Sequence, residues 1–146
     1  MAGSVSAAIT ATRFELSISG QSVGVFAELK GLTSAIELPD VILTTARGTI
    51  DVTGTSTRQL PPIVVLRRRL TPSIEMAAWH ELAVVGDMAA ARKAVTLTMF
   101  SAKGDPVVRY HMTDAWPHKI DIGALDSGIL METVTMTCKL LQRISV

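Results

Sequence analysis

Three histidines, a single cysteine, a run of three arginines and a few loop carboxylates are the residues of this chain that could do chemistry. His111 and His118 flank Trp116-Pro117, with Asp114 near both. Imidazoles and a carboxylate are donors that suit a divalent metal, but their spacing matches no zinc pattern, and a solvated strand end is the simpler reading. His80 falls on a helical stretch roughly opposite its apolar stripe, as a surface histidine does more often than a catalytic one. Cys138 sits between Met136 and Leu140 in a strand pattern, where a lone thiol cannot form an internal disulfide and reads as a small buried apolar residue. Arg67-Arg68-Arg69 suits a solvated strand end or a subunit contact better than a phosphate site. Asp40, Asp51 and Asp105 are loop acids without a visible partner. No glycine-rich loop follows a strand and opens a helix, and no Gly-x-Ser-x-Gly elbow occurs. No catalytic constellation, metal or cofactor is therefore expected.

The stretch from Leu60 to Trp116 organises the elements around these residues. The apolar run Ile63-Val64-Val65-Leu66 reads as a strand held extended by Leu60-Pro61-Pro62. Thr71-Pro72 predicts a helix start, with Thr71 as cap, Pro72 at the first helical position and Glu75 near the positive end of the dipole. Ile74, Ala78, Leu82 and Val85 form its stripe, Trp79 lies at the edge, and Gly86 ends it. Val95, Leu97 and Met99 alternate with Thr96, Thr98 and Phe100, Lys103 to Pro106 turns the chain around Gly104, and Val107 to Ala115 returns until Trp116-Pro117 ends the strand.

The flanks supply partner strands. Phe14, Leu16 and Ile18 alternate with Glu15, Ser17 and Ser19, a half-buried strand that turns at Gly20-Gln21 into Val23, Val25 and Phe26. The break in alternation at Val25-Phe26 predicts a bulge. Ser34 to Thr45 is β-like but is split by Pro39. Ala46 to Gln59 is polar and glycine-bearing, an extended loop with a small hairpin through Ile50 and Val52. Pro117 to Ser127 reads as a connector. The last strand, Ile129 to Ile144, turns Val134, Met136, Cys138 and Leu140 inward and Thr133, Thr135, Thr137 and Lys139 outward. It is long enough to bend or to serve two sheets. The expected fold is mainly β: an antiparallel β-sandwich or barrel of about six or seven strands with one α-helix packed outside.

The chain has 146 residues, 48% of them apolar and 18% charged, with a formal charge of +1. That composition excludes a disordered chain and gives no field for nucleic acid or acidic lipid. The start of the chain lacks the pattern of a secretory signal, and no apolar run approaches a membrane span. Synthesis in the cytoplasm without a membrane anchor is the expectation. Low charge, high apolar content and long antiparallel strands create unpaired edges, which self-association in a ring would cover.

Four segments carry a family resemblance. They are Arg13-Phe-Glu-Leu-Ser-Ile-Ser-Gly20 leading to Val25-Phe-Ala-Glu-Leu-Lys-Gly-Leu32; Leu60-Pro-Pro with Val65-Leu-Arg-Arg-Arg-Leu-Thr71 ahead of the Trp79 helix; Val95-Thr-Leu-Thr-Met-Phe100 with Gly104-Asp-Pro-Val-Val-Arg-Tyr110 and Asp114-Ala-Trp-Pro117; and the final strand from Met131 to Leu141. In this order they resemble the tail-tube proteins of contractile phages and phage-like contractile injection systems. The resemblance covers nearly the whole chain, as a tube domain over 13–146 behind an arm at 1–12. The chain departs from the family at Glu37-Leu38-Pro39-Asp40, which lacks a tyrosine common there, and at Arg67-Arg68-Arg69, where a glycine is common. A specialised subunit such as a tube initiator at the baseplate therefore stays open beside the main tube.

The resemblance implies a structural subunit that forms hexameric rings stacked into a hollow tube. A sheath contracts around the tube and drives it through a target envelope. Its partners would be further copies of itself, the sheath protein, baseplate, spike and tube-terminating proteins, and either cargo protein or phage DNA in the lumen. The finished particle is a phage tail or a phage-like device, released extracellularly in some cases. Thr45, Arg47, Asp51 and Arg58 would fall in the ring-to-ring loop, Glu75, Trp79 and His80 on the outer helix, and Thr133, Thr135, Thr137 and Lys139 on a polar face of the last strand. The competing reading is a monomeric β-barrel module for a ligand or carbohydrate, which the scarcity of aromatic residues, 4% of the chain, disfavours.

Overall fold

The computed structural model describes residues 7–37, 40–45, 48–53 and 58–146, the strands at 40–45 and 48–53 by backbone pairing alone. In chain order the elements are β1 (Arg13–Ile18), β2 (Gln21–Phe26), β3 (Glu28–Thr33), β4 (Ile36–Glu37), β5 (Asp40–Thr45), β6 (Gly48–Thr53), β7 (Arg58–Gln59), β8 (Ile63–Arg69), α1 (Glu75–Val84), α2 (Met88–Ala91), β9 (Lys93–Phe100), β10 (Pro106–Ala124), β11 (Leu130–Thr137) and β12 (Leu140–Ile144). The main sheet runs β2-β1-β9-β10-β11-β8-β3, and β12 adds to β10. All its pairings are antiparallel.

The 19-residue β10 belongs to two sheets. Its first part lies between β9 and β12, and its second part pairs with β11. The change happens at Asp114, whose φ of 52° sits inside a register shift between Met112 and Ala115. Beside it, β11 gives way to β12, and the Lys139 N–H donates to the Thr113 carbonyl at 2.8 Å. On the other side of the molecule only Ala27 separates β2 from β3, and its N–H donates to the Arg67 carbonyl at 3.1 Å. Near-continuous extended chain thus crosses between the sheets at two places.

Alternation fills the space between the sheets. Leu16, Val95, Leu97 and Met112 enter from one side and Val64, Leu66, Val134 and Met136 from the other, all at most 1% exposed. Each such side chain contributes roughly 1.5–3 kcal/mol when removed from water. Met76 and Trp79 of α1 join this core, and the Trp79 Nε1–H donates to the Ala91 carbonyl at 2.5 Å. The helix ends at Gly86, φ 85°, where Asp87 N–H reaches Leu82 and Gly86 N–H reaches Ala83, a left-handed stop. Asp87 then caps the short α2 through the Ala90 N–H.

The expected fold class holds: the chain is mainly β and antiparallel with few helices. Within it several details differ: short additional strands and the four-residue α2 are present. The main helix starts at Glu75, not at Thr71; its N-cap position is Ile74, which has no capping side chain, and the Glu75 N–H donates to Ser73 Oγ at 3.4 Å. The Leu70 N–H donates to the Leu130 carbonyl at 2.9 Å, which holds the chain in the sheet up to the Thr71-Pro72 step. The buried helix face carries Met76 and Trp79 with half-buried His80, Leu82 and Ala83; of the expected stripe only Leu82 packs against the core, whereas Ala78 is exposed and Ile74 and Val85 are 74% and 66% exposed. Trp116-Pro117 does not end its strand, and the expected connector from Pro117 is strand as far as Ala124. Pro117 sits at a register shift beside Lys119, a place where a missing N–H is tolerated. The bulge in β2 falls at Val23, and Phe26 stays in phase opposite Phe14. The polar excursion contains a hairpin through Ile50 and Val52, but it opens earlier and is longer, pairing Asp40 with Thr53 and Thr45 with Gly48. A short β4–β7 ladder, Ile36 with Gln59 and Glu37 with Arg58, brackets it.

Candidate functional site

The chemistry-bearing residues do not converge. Among the described residues no three of His, Cys, Asp and Glu could hold a metal ion. His111 lies mid-strand between Thr96 and Gln142. His118 meets the Trp116 ring edge-on at 6.1 Å, and Asp114 shapes the backbone of the sheet junction. His80 is not a free surface histidine: its Nδ1 is 2.7 Å from the Pro117 carbonyl, so that nitrogen carries the proton. Cys138 is 4% exposed, and burial pushes its thiol up to about 11 against a smaller opposing hydrogen bond from the Leu140 backbone. Such a thiol is unreactive near neutral pH.

The arginine run splits three ways because side chains alternate along β8. Arg67 reaches Glu28 at 3.2 Å in a partly exposed pair. Arg69 is exposed. Arg68 turns inward, and its Nε donates to Glu132 Oε1 at 2.7 Å with both residues under a tenth exposed. Its guanidinium lies 4.6 Å from the centre of the Phe26 ring. Gly24 leaves the space for this stack, since a Cβ there would come within 3.0 Å of Phe26 Cε2 and 3.6 Å of Arg68 Nη1. The sequence reading missed this pair. The signal was present in the alternation Val64, Leu66, Arg68 and Glu132, Val134, Met136.

What the molecule leaves uncovered is strand edge and apolar surface. Among the described residues β12 pairs with β10 alone, and the second part of β10 pairs with β11 alone. At the β10–β11 hairpin end, Leu70, Ile122, Leu125 and Leu130 are 38–50% exposed. The outer side of α1 exposes Ile74, Val84 and Val85 beside Glu75, Glu81 and Asp87, with no basic residue in its last turn. An open groove of about 530 Å³ runs past Ile9, Phe14, Leu29, Leu32, Tyr110 and Arg143.

The residues singled out from sequence are spread over these surfaces. Thr45 closes β5 opposite Gly48, Asp51 faces Ile42 across the β5–β6 ladder, and exposed Arg58 stands opposite Glu37 at the hairpin base. Arg47 lies outside the described residues. Glu75 is exposed on α1, but Trp79 is buried and offers no outer contact. Thr133 and Thr135 lie half-buried on the outward face of β11, and Lys139 is exposed. Thr137 leaves that polar face: it is 9% exposed, and its Oγ1 donates to the Pro62 carbonyl at 3.1 Å. Among the described residues no helix is long and apolar enough to cross a membrane.

The profile of the T4-like virus tail tube protein gp19 matches residues 10–141. Among solved structures, a chain of the extracellular contractile injection system PVC, from its sheath/tube terminator in the extended state, superposes with a TM-score of 0.70 at 16% identity, covering 97% of this chain and 100% of that one. A chain of the PVC sheath–tube complex gives 0.70 at 15% identity, over 97% and 95%. Hcp1 from Flavobacterium johnsoniae gives 0.53 at 15% identity, over 89% and 93%. At these identities the superpositions establish the fold. No curated protein sequence matches the chain.

Proposed function

The chain belongs to the T4-like virus tail tube protein family, and on that premise we propose how it works as a subunit of the inner tube of a contractile injection particle or phage tail. Residues 13–146 are the tube domain behind an arm at 1–12. Six copies close into a ring, and rings stack into a hollow tube that sheath contraction drives through a target envelope. The observation that carries this reading is the set of open strand edges on a well-packed body: among the described residues β2, β3, β12 and the second part of β10 each pair with a single neighbouring strand. Unpaired backbone groups invite a strand from another copy, and a closed ring removes the edges.

The remaining surfaces are assigned to partners. The β5–β6 hairpin, with Thr45, Arg47 and Asp51 and with Arg58 at its base, meets the neighbouring ring. The outer side of α1 faces the sheath. Its apolar strip flanked by Glu75, Glu81 and Asp87 suits a basic amphipathic segment. Baseplate and terminator proteins meet the two ends of the tube, and protein cargo or DNA occupies the lumen. The subunit has a mechanical role and no catalytic one.

Light scattering and negative-stain electron microscopy of the purified chain test the reading. Six-fold rings or stacked tubes, or addition to a baseplate template, are the expected outcome. A monodisperse monomer at high concentration that also ignores the template would replace it with the ligand-binding β-barrel.

A further inference from the structure

The interior face of the second sheet runs on past the core. Leu66, Arg68 and Leu70 alternate inward along β8 and its end, Val134, Glu132 and Leu130 along β11, and Ile120 and Ile122 along β10. The Arg68–Glu132 pair is the last covered layer. In the same layer Ile122, opposite Glu132 on β10, is already 50% exposed; beyond it Leu70 and Leu130 continue the face at 38% and 48%, and Leu125 joins them at the turn with 43%. The result is an apolar knob at the hairpin end, with exposed Asp126 at its tip. Elsewhere on the chain, the groove between the segment at Ile9, β1 at Phe14 and β3 at Leu29 and Leu32 is apolar, and Arg143 is its one charged lining residue. Neither Asp126 nor Arg143 belongs to an ion pair within the described residues.

We propose that the β10–β11 knob of one copy seats in this groove of the next copy, with Asp126 against Arg143. The proposal rests on the reading of the chain as a ring-forming subunit. Knob and groove are different surfaces of one chain, so the contact is heterologous and passes head to tail. A contact of that kind closes into a ring or runs on as a filament, whereas a self-complementary patch stops at a dimer. The knob supplies the apolar burial, and the charge pair at its rim fixes orientation.

Charge exchange tests it on the full chain. Asp126→Arg and Arg143→Asp each place like charges together and should lower the assembled fraction about tenfold, while the double exchange restores it to within about threefold of the parent. Both positions are exposed, so circular dichroism should show unchanged folding. A second test joins Ile9→Cys with Leu125→Cys. Under oxidation the double variant should give a ladder of cross-linked species and each single variant none; native Cys138 is buried and does not interfere. If six-fold rings form and the single charge variants assemble like the parent, or the double cysteine variant gives no ladder, the contact is wrong and the tube reading stands. If rings survive every exchange while a small apolar molecule co-purifies in the groove, the groove is a ligand site and the contact is overturned. If the parent forms no ring with or without a template, the tube reading falls and takes the contact with it.

Discussion

Arg68 and Glu132 hold a charge pair inside a core that could have been wholly apolar. Removing one partner strands the other charge out of water. Glu132→Ala should cost about 3–5 kcal/mol in urea unfolding, whereas Arg68→Met with Glu132→Leu should be neutral or gain about 1–4 kcal/mol. If the losses of Arg68→Met alone and Glu132→Leu alone simply add in the double variant, the pair is not coupled as described. The Cys138 thiol gives a pH test. Burial raises its folded value to about 11 from 9.0, so the folded state keeps a proton that the unfolded chain releases. Its contribution is fully present below pH 9.0 and is lost as pH rises to about 11, a fall of about 2–3 kcal/mol. Unfolding of the parent should therefore steepen over that window relative to Cys138→Ala. Equal slopes would show that the thiol is not desolvated.

At the scale of elements, the left-handed stop at Gly86 makes the clearest test. A Cβ there meets nothing within 4 Å, so Gly86→Ala probes backbone conformation alone at φ 85°. The expected loss is about 1 kcal/mol, with a Tm lower by a few degrees; an unchanged Tm would show that the helix end does not depend on this turn. The same elements show what a sequence discloses. β1, β9 and β11 were legible because Phe14, Leu16, Val95, Leu97, Val134 and Met136 keep strict period two. The inward face of α1 was not, because apolar residues surround it, from Ile74 and Met76 to Ala78, Leu82 and Val85. The Trp79 and His80 hydrogen bonds, to Ala91 and Pro117, orient the helix, and those partners are tertiary. Pro117 reads locally as a strand end, and only the β10–β11 register turns it into a bulge. Arg68 and Glu132 obeyed the alternation, but their charge argued for the surface until each was seen to satisfy the other. The surface patches were harder still, since exposure of Ile122 or Leu130 depends on where the core stops.

The whole molecule joins its first strand to a distant one, Arg13 lying opposite Phe100, and β8 pairs with β3 and β11, both also distant in sequence, beside the local hairpins β1–β2, β9–β10 and β10–β11. Loops this long must close before the ladders form, so refolding in stopped flow should take milliseconds to seconds. A microsecond phase that recovers the full signal would contradict that topology. If ring formation covers the open edges, the folded form is drawn off by mass action. Tm should then rise with protein concentration through the assembly range. A concentration-independent Tm in a sample that contains rings would mean that the edges contribute nothing to assembly.

β10 and the near-continuous β2–β3 run each pass from one sheet to the other with hardly a break in the extended chain. Two layers held together only by side chains can slide when pushed from opposite sides. Here the layers are strapped by peptide bonds at two places, as the panels of a box girder are joined along their edges. A thrust received by one layer travels to the other as tension in the main chain, and the packed side chains between them are spared the shear.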